Sequence, residues 1–263
     1  MEKIELENQN IAYKDQGAGE PILLLHGFCG SSAYFDKILP ELTSNYRCVV
    51  PDLRGHGESD APNSSYSIDQ MADDMIGVLD VLEIDKVSVF GHSLGGYITL
   101  SLAERYPDRI KAFGLIHSTA YPDSEEAKEK RLTAVSTIQS QGIQNFVDSL
   151  IPGLFAEGNR ERMSSVIDKI QEIGYRTSPQ GAANTAIAMR ERPDRRYVLE
   201  KLSIPVLLVA GESDGVVPPD RTFTADGEGV TQALISDAGH MSMVEAPDEL
   251  VQVILEFMNK NVK

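Results

Sequence analysis

The sequence contains little cysteine, no tryptophan and no long apolar run. Only Cys29 and Cys48 are present among 263 residues, which is too few for a disulfide framework. No Cys-x-x-Cys pattern or Cys/His cluster suggests a metal centre, and no apolar stretch approaches the roughly 20 residues that cross a bilayer. The segment from Met1 to Glu7 is charged and alternating, without the apolar core of a secretory signal. We therefore expect a cytoplasmic protein without a bound metal or a membrane span.

Basic residues are also scarce. The chain has 24 Lys and Arg against 40 Asp and Glu, so its formal net charge is −16. Because nucleic acids and anionic membranes are polyanions, this balance disfavours both as partners. The length suits one large α/β domain or two small ones, and it is ample for a sizeable core.

Short apolar runs alternate with helical patterns, which predicts an α/β fold with a mostly parallel sheet and helices on both faces. Strands are predicted at Ile22–Leu25, Tyr46–Val50, Lys86–Phe90, Ile110–His117, Ile204–Ala210 and Gln232–Ile235. Helices are predicted at Ser67–Leu82, Gly96–Arg105, near Pro218 and at Pro247–Asn259, the first with a capping box of Ser67 and Gln70. The alternating segment Ile4–Tyr13, with a polar turn at residues 7–10, predicts an antiparallel hairpin at the edge of the sheet.

The strand pattern disappears between residues 121 and 196, a segment we call the helical block. Helices are predicted there at Ser124–Ser140, Ile143–Ile151, Glu161–Glu172 and Gly181–Arg190. Alternation of strands and helices resumes after it. We therefore expect residues 1–120 and 197–263 to form one core domain, with the helical block inserted between two of its strands.

The pentapeptide Gly91-His92-Ser93-Leu94-Gly95 lies between a predicted strand and a predicted helix. A Gly-x-Ser-x-Gly in that context holds the serine in a strained backbone conformation and exposes its hydroxyl at the end of the sheet. A side chain at either flanking glycine would collide with a neighbouring strand or helix. Ser93 is therefore predicted to be a nucleophile.

A serine nucleophile needs a base and a carboxylate that orients the base. His240 follows the last predicted strand, and Asp214 follows the strand before it, so the order Ser…Asp…His suits this kind of site. Glu212 is the alternative acid, and Asp123 is the first carboxylate after the strand that ends at His117. We predict Ser93, Asp214 and His240 as the catalytic residues.

The developing oxyanion needs backbone N–H donors. The amide of Leu94, at a helix N-terminus, and that of Phe28, in the His26-Gly27-Phe28 loop, are predicted to supply them. Five further residues are predicted to contribute to substrate binding: His26, Gly27, His92, His117 and Met241. For His26 and His92 a role in loop shape or packing is the alternative, and nothing in the sequence makes His117 a base.

The chain resembles the α/β-hydrolase fold superfamily, in its branch of serine esterases and enol-lactonases. The matching segments are His26–Phe28, Asp52–Ser59, Gly91–Gly96, Gly211-x-x-Asp214 and Gly239-His240, in the family's order. The resemblance implies that the helical block is a cap over the pocket, and that no cofactor is needed. Related dehalogenases and epoxide hydrolases have an aspartate where Ser93 stands, so the serine favours acyl transfer from a small ester, thioester or lactone to water.

Alternatives remain within this resemblance. C–C bond hydrolases and perhydrolases also use serine, and some proteins of this fold are small-molecule receptors with little turnover. The oligomeric state is open. In the helical block, Arg190, Arg192, Arg195 and Arg196 are expected to form a solvated face, or alternatively to attract an acidic substrate. Cys29, beside the predicted oxyanion donor, is expected to be a small packed residue.

Overall fold

Eight strands form one sheet in the order β1-β2-β4-β3-β5-β6-β7-β8. The computed structural model describes residues 1–7, 9–201 and 203–262. The strands are β1 (Glu2–Leu6), β2 (Gln9–Gln16), β3 (Pro21–Leu25), β4 (Arg47–Pro51), β5 (Val87–His92), β6 (Ile110–Ile116), β7 (Val206–Gly211) and β8 (Val230–Ile235). From β4 to β8 every neighbouring pair is parallel, whereas β1 pairs antiparallel with β2, and β2 with β4. The predicted sheet and edge hairpin are confirmed; Asn8, in the predicted polar turn, lies outside the described residues.

The helices are α1 (Leu39–Leu42), α2 (Ile68–Val81), α3 (Leu94–Arg105), α4 (Glu125–Leu150), α5 (Ser164–Gly174), α6 (Pro179–Arg190), α7 (Arg196–Lys201), α8 (Pro219–Thr222), α9 (Ser242–Glu245) and α10 (Pro247–Asn261). The capping box at the start of α2 is present: the Gln70 N–H donates to Ser67 Oγ at 3.1 Å, and the Ser67 N–H donates to Gln70 Oε1 at 2.9 Å. The short helices α1, α7 and α9 are not anticipated by the sequence pattern.

The central strands are buried on both faces. In β3, Ile22 and Leu24 join the core cluster that contains residues of α1, α10 and the helical block, whereas Leu23 and Leu25 join the cluster built with α2 and α3. This explains why β3 has a continuous apolar run instead of an alternating one. Helices therefore cover both faces of the sheet.

The helical block contains α4, α5 and α6, and no strand is described between β6 and β7. Helix α4 is interrupted at Gly142, whose φ of 86° and ψ of 166° are not helical. The break falls between the two helices predicted for this stretch, and glycine adopts such a positive φ without steric penalty. Helix α5 begins three residues later than predicted. Its N-cap, Met163, has a φ of −111° and a ψ of 17°, which are not helical.

None of the helices within the described residues has the length and apolarity of a bilayer-spanning segment.

Candidate active site

The loops that follow four parallel strands meet at one edge of the sheet. Ser93 directly follows β5, His117 follows β6, Asp214 follows β7, and His240 follows β8. Because parallel strands end at the same edge, residues distant in sequence converge there. The structure thus brings together the three residues predicted to be catalytic, together with His117.

Ser93 has a strained backbone, with φ of 51° and ψ of −110°. Its N–H donates to the Ile116 carbonyl at 2.9 Å, and the Ser118 hydroxyl donates to its carbonyl at 2.7 Å. A Cβ on Gly95 would lie 2.2 Å from the Leu25 carbonyl oxygen, and one on Gly91 would lie 2.2 Å from the Gly95 carbonyl oxygen. The predicted requirement for both glycines is confirmed, because each permits a backbone contact that no side chain would allow.

Asp214 is buried and receives four hydrogen-bond contacts. Its Oδ2 lies 2.8 Å from His240 Nδ1 and 3.1 Å from His117 Nδ1. Its Oδ1 accepts from the N–H groups of Val216 at 2.8 Å and Val217 at 2.9 Å. Burial alone would raise the pKa of Asp214, but the His240 and His117 rings outweigh it and hold this pKa well below its usual value. Asp214 is therefore an anion that orients His240 through Nδ1.

Glu212 and Asp123, the two alternative acids, have partners other than the His240 ring. Glu212 is exposed and accepts a long contact from the Asp237 N–H at 3.5 Å. Asp123 is buried but is paired with Arg192 at 2.6 Å and Arg131 at 3.0 Å. Asp214 is the carboxylate in contact with the His240 ring.

His117 is fully buried behind Asp214 and does not border the pocket, so the structure does not bring it to the site as a substrate contact. Its Nε2 lies 2.7 Å from Ser242 Oγ, while Nδ1 faces Asp214. Burial lowers the pKa of His117, so the ring is neutral. A neutral ring that gives Nδ1–H to Asp214 can accept the Ser242 hydroxyl at Nε2.

A pocket of about 210 Å³ opens beside these residues and is bordered by both Ser93 and His240. No hydrogen bond joins the Ser93 hydroxyl to the His240 ring in the described part of the chain; in ligand-free enzymes such contacts are often long. Five apolar side chains of the helical block also border the pocket: Pro122, Ala127, Leu150, Leu154 and Met189. The pocket is therefore enclosed by the sheet edge on one side and by the helical block on the other.

Of the five residues predicted to bind substrate, only His92 borders this pocket. His26, Gly27 and Met241 are buried and do not line it, so the structure does not bring them together with the other predicted site residues as pocket walls. His26 instead holds two loops: Nδ1 lies 2.8 Å from the Gly27 carbonyl oxygen and Nε2 accepts from the Leu53 N–H at 2.9 Å. These contacts match the alternative role of His26 in loop shape.

The loop that contains Gly27 and Phe28 lies against Ser93. A Cβ on Gly27 would be 3.4 Å from Ser93 Cβ and 2.6 Å from His92 Nδ1. Phe28 itself borders the pocket. Within the described residues neither the Phe28 N–H nor the Leu94 N–H has a hydrogen-bond partner, and Leu94 is the first residue of α3. Two unpaired backbone donors therefore lie beside the serine.

The histidine loop is held by residues that the sequence pattern does not reveal. Glu245 Oε2 accepts from the N–H groups of Gly239 at 2.9 Å and Met241 at 3.2 Å, and its Oε1 accepts from the Ala156 N–H at 2.9 Å. The His240 N–H donates to the Leu154 carbonyl at 2.7 Å. The helical block is therefore bonded directly to the backbone that carries His240.

The solvated face expected from the sequence for the four arginines at the end of the helical block is present only in part, because Arg196 is exposed and Arg190 is half-buried but the other two are not exposed. Arg192 and Arg195 are buried, with 7% and 4% of their surface exposed. Arg195 pairs with Asp69 at 2.5 Å and Glu104 at 2.8 Å. Because acidic residues from α2 and α3 surround it, Arg195 joins the helical block to the core.

Cys29 is buried, and burial raises the pKa of its thiol, in accord with a packed residue. Three buried side chains of the candidate site have the donor types of a metal centre. His117, Asp214 and His240 offer ligand atoms within 4.8 Å of one another. The ring nitrogens that face Asp214 are, however, engaged with its carboxylate, as in a base and its orienting acid.

Buried neutral histidines predict a loss of stability in mild acid. Burial lowers the pKa of His26 from 6.5 to about 3 and that of His56 from 6.5 to about 4. Below about pH 6.5 the unfolded chain therefore binds more protons than the folded one, so stability present above that pH is lost as pH falls towards 4. Each ring contributes up to about 1.4 kcal/mol per pH unit. Urea unfolding between pH 7.5 and 5 should show this slope; a flat profile would contradict it, and His56→Asn should make it shallower.

Comparison with known proteins agrees with this architecture. A family model described as the alpha/beta hydrolase fold matches residues 20–149. A thermophilic esterase from Thermogutta terrifontis, solved with malate bound, is 33% identical with a TM-score of 0.92, covering 98% of this chain and 97% of that one. A 3-oxoadipate enol-lactonase 1 from Acinetobacter baylyi is 30% identical over 82% of this chain and 80% of the relative. A 2-(acetamidomethylene)succinate hydrolase from Mesorhizobium japonicum is 28% identical over 82% and 78%, respectively. With the order of the sheet and the strand–turn–helix around Ser93, these similarities show that the chain belongs to the α/β-hydrolase fold family.

Proposed function

We propose that this protein is a serine hydrolase that cleaves a small ester or lactone through an acyl-enzyme. The observation that carries the proposal is the His240–Asp214 contact of 2.8 Å beside the pocket that Ser93 also borders. Because Nδ1–H of His240 is directed to an anionic carboxylate, Nε2 carries the lone pair that a general base needs. The esterase and enol-lactonase among its relatives favour the same chemistry.

The reaction then proceeds in two halves. His240 Nε2 takes the Ser93 proton while Ser93 Oγ attacks the substrate carbonyl, and the oxyanion accepts hydrogen bonds from the Phe28 and Leu94 N–H groups. Asp214 stabilises the imidazolium form of His240. The imidazolium gives its proton to the leaving alkoxide, and a water that His240 deprotonates attacks the acyl-enzyme to release the acid and restore Ser93. No cofactor enters these steps.

We further propose that the helical block, residues 121–196, is a cap on a core formed by residues 1–120 and 197–263. Leu150, Leu154 and Met189 would form the apolar ceiling of the pocket. A volume of about 210 Å³ is small for a ligand site, so a short acyl or alcohol group suits it. A cytoplasmic location stays a prediction.

Active-site labelling with turnover measurement tests this function. A fluorophosphonate should modify one residue, Ser93, and 4-nitrophenyl butyrate should be hydrolysed over many cycles, because water regenerates the serine. Peptide mass spectrometry locates the adduct, and treatment with a chelator beforehand should leave the rate unchanged. One slow stoichiometric acylation without further cycles would instead support a small-molecule receptor, and labelling at another residue would contradict the proposal.

A further inference from the structure

We propose that the pocket selects substrates bearing a carboxylate, which Arg221 and Arg131 bind at the wall bordered by the helical block and α8. This inference rests on the proposed function and adds the substrate class. Four charged side chains that border the pocket carry it: Asp123, Arg131, Arg192 and Arg221. Three guanidinium groups but only one of their carboxylate partners therefore border a cavity that also contains the candidate nucleophile.

The guanidinium group of Arg192 makes its contacts within the protein. It pairs with Asp123 at 2.6 Å, donates to the carbonyls of Met189 at 2.8 Å and Tyr121 at 3.2 Å, and stacks 3.9 Å from the centroid of the Tyr97 ring. Its side chain is 4% exposed, so it cannot turn towards a ligand. Arg192 therefore neutralises Asp123 and keeps it in place.

Most of the guanidinium N–H donors of Arg131 have no protein partner in the described part of the chain. Only its Nε contacts Asp123, at 3.0 Å, although a guanidinium group has five N–H donors. The side chain is 27% exposed at the pocket wall. Since Asp123 is already paired with Arg192, the positive charge of Arg131 is not balanced by a carboxylate of its own.

Arg221 has no carboxylate within ion-pair distance in the part of the chain that the structure describes. Its guanidinium lies 4.0 Å from the centroid of the Tyr121 ring, which restricts its orientation without neutralising it. Acidic side chains outnumber basic ones by 40 to 24 in this protein, so carboxylates that could pair with an arginine are plentiful in the chain. Two unbalanced guanidinium groups that border one pocket fit an anionic ligand group, and a planar carboxylate suits the donor geometry of a guanidinium group.

The test compares two esters with the same chain. Mono-4-nitrophenyl adipate ends in a carboxylate where 4-nitrophenyl hexanoate ends in a methyl group. We expect wild type to hydrolyse the adipate ester with about tenfold higher kcat/KM, and Arg221→Gln to abolish most of this ratio, mainly through KM. Arg131→Gln should lower the ratio, and Arg131→Lys should restore part of it. Arg176→Gln is the matched control, because Arg176 is an exposed arginine of the helical block that does not border the pocket.

The outcomes separate this inference from the proposed function. Hydrolysis of both esters with equal kcat/KM, or a ratio that Arg221→Gln leaves unchanged, overturns the carboxylate site while the hydrolase stands. If neither ester is hydrolysed, the proposed function fails. Calorimetric titration with succinate then tests the carboxylate site independently of catalysis. Binding that weakens about tenfold in Arg221→Gln but not in Arg176→Gln supports it; no binding, or equal binding to all three proteins, overturns it.

Discussion

Ser93→Ala is expected to lower kcat for 4-nitrophenyl butyrate by at least about 10⁴-fold, because the acyl-enzyme cannot form without the hydroxyl. The residual rate would come from binding and from the oxyanion donors, which the substitution leaves in place. The fluorophosphonate adduct should disappear from the variant. Initial rates at saturating ester, with mass spectrometry of the labelled protein, measure both effects.

The same substitution should leave the fold intact. Alanine keeps the Cβ that is strained at φ of 51°, so the free energy of unfolding should change little. Ser93→Gly is the informative companion, because glycine tolerates this φ and should stabilise the protein by about 1 kcal/mol while also being inactive. Urea unfolding of the three proteins measures this. A folded Ser93→Ala protein that retains most of its activity would refute the assigned nucleophile.

Asp214→Asn is expected to reduce kcat by about 10⁴-fold through the tautomer of His240. The asparagine carbonyl would keep the Val216 and Val217 N–H bonds, so its NH₂ group would face His240 Nδ1. Nδ1 would then have to accept, which moves the ring proton to Nε2 and removes the lone pair that activates Ser93. His117 Nδ1, at 3.1 Å from the same oxygen, would face the same NH₂ group and would likewise lose its carboxylate acceptor.

Glu212→Gln is the matched control for this loss. It makes the same carboxylate-to-amide change two residues away, on an exposed side chain that does not contact His240. Its kcat should stay within about twofold of wild type, as for a surface substitution away from a specific contact. A large loss in Glu212→Gln together with a small one in Asp214→Asn would assign the acid to Glu212 instead.

Local sequence predicted the elements that depend on neighbours in the chain. The Ser67 capping box, the break at Gly142 and the strand–turn–helix around Ser93 all follow from side chains within a few residues of one another. The order of serine, acid and histidine could be predicted as well, because parallel strands place their following loops at one edge. The short helices α1, α7 and α9 were missed because one or two turns leave too weak a periodic pattern.

The sequence by itself determined the strand–helix alternation, the need for glycine on both sides of Ser93, and the loops from which the candidate site is built. Only the tertiary structure decided that His117 lies behind Asp214, that Glu245 holds the His240 loop to the helical block, and that Arg192 is buried against Tyr97. Each of these contacts joins segments whose packing no local pattern encodes. Whether a polar or charged side chain is buried and paired depends on the residues that it packs against in the fold. For these three residues, those partners come from another part of the chain.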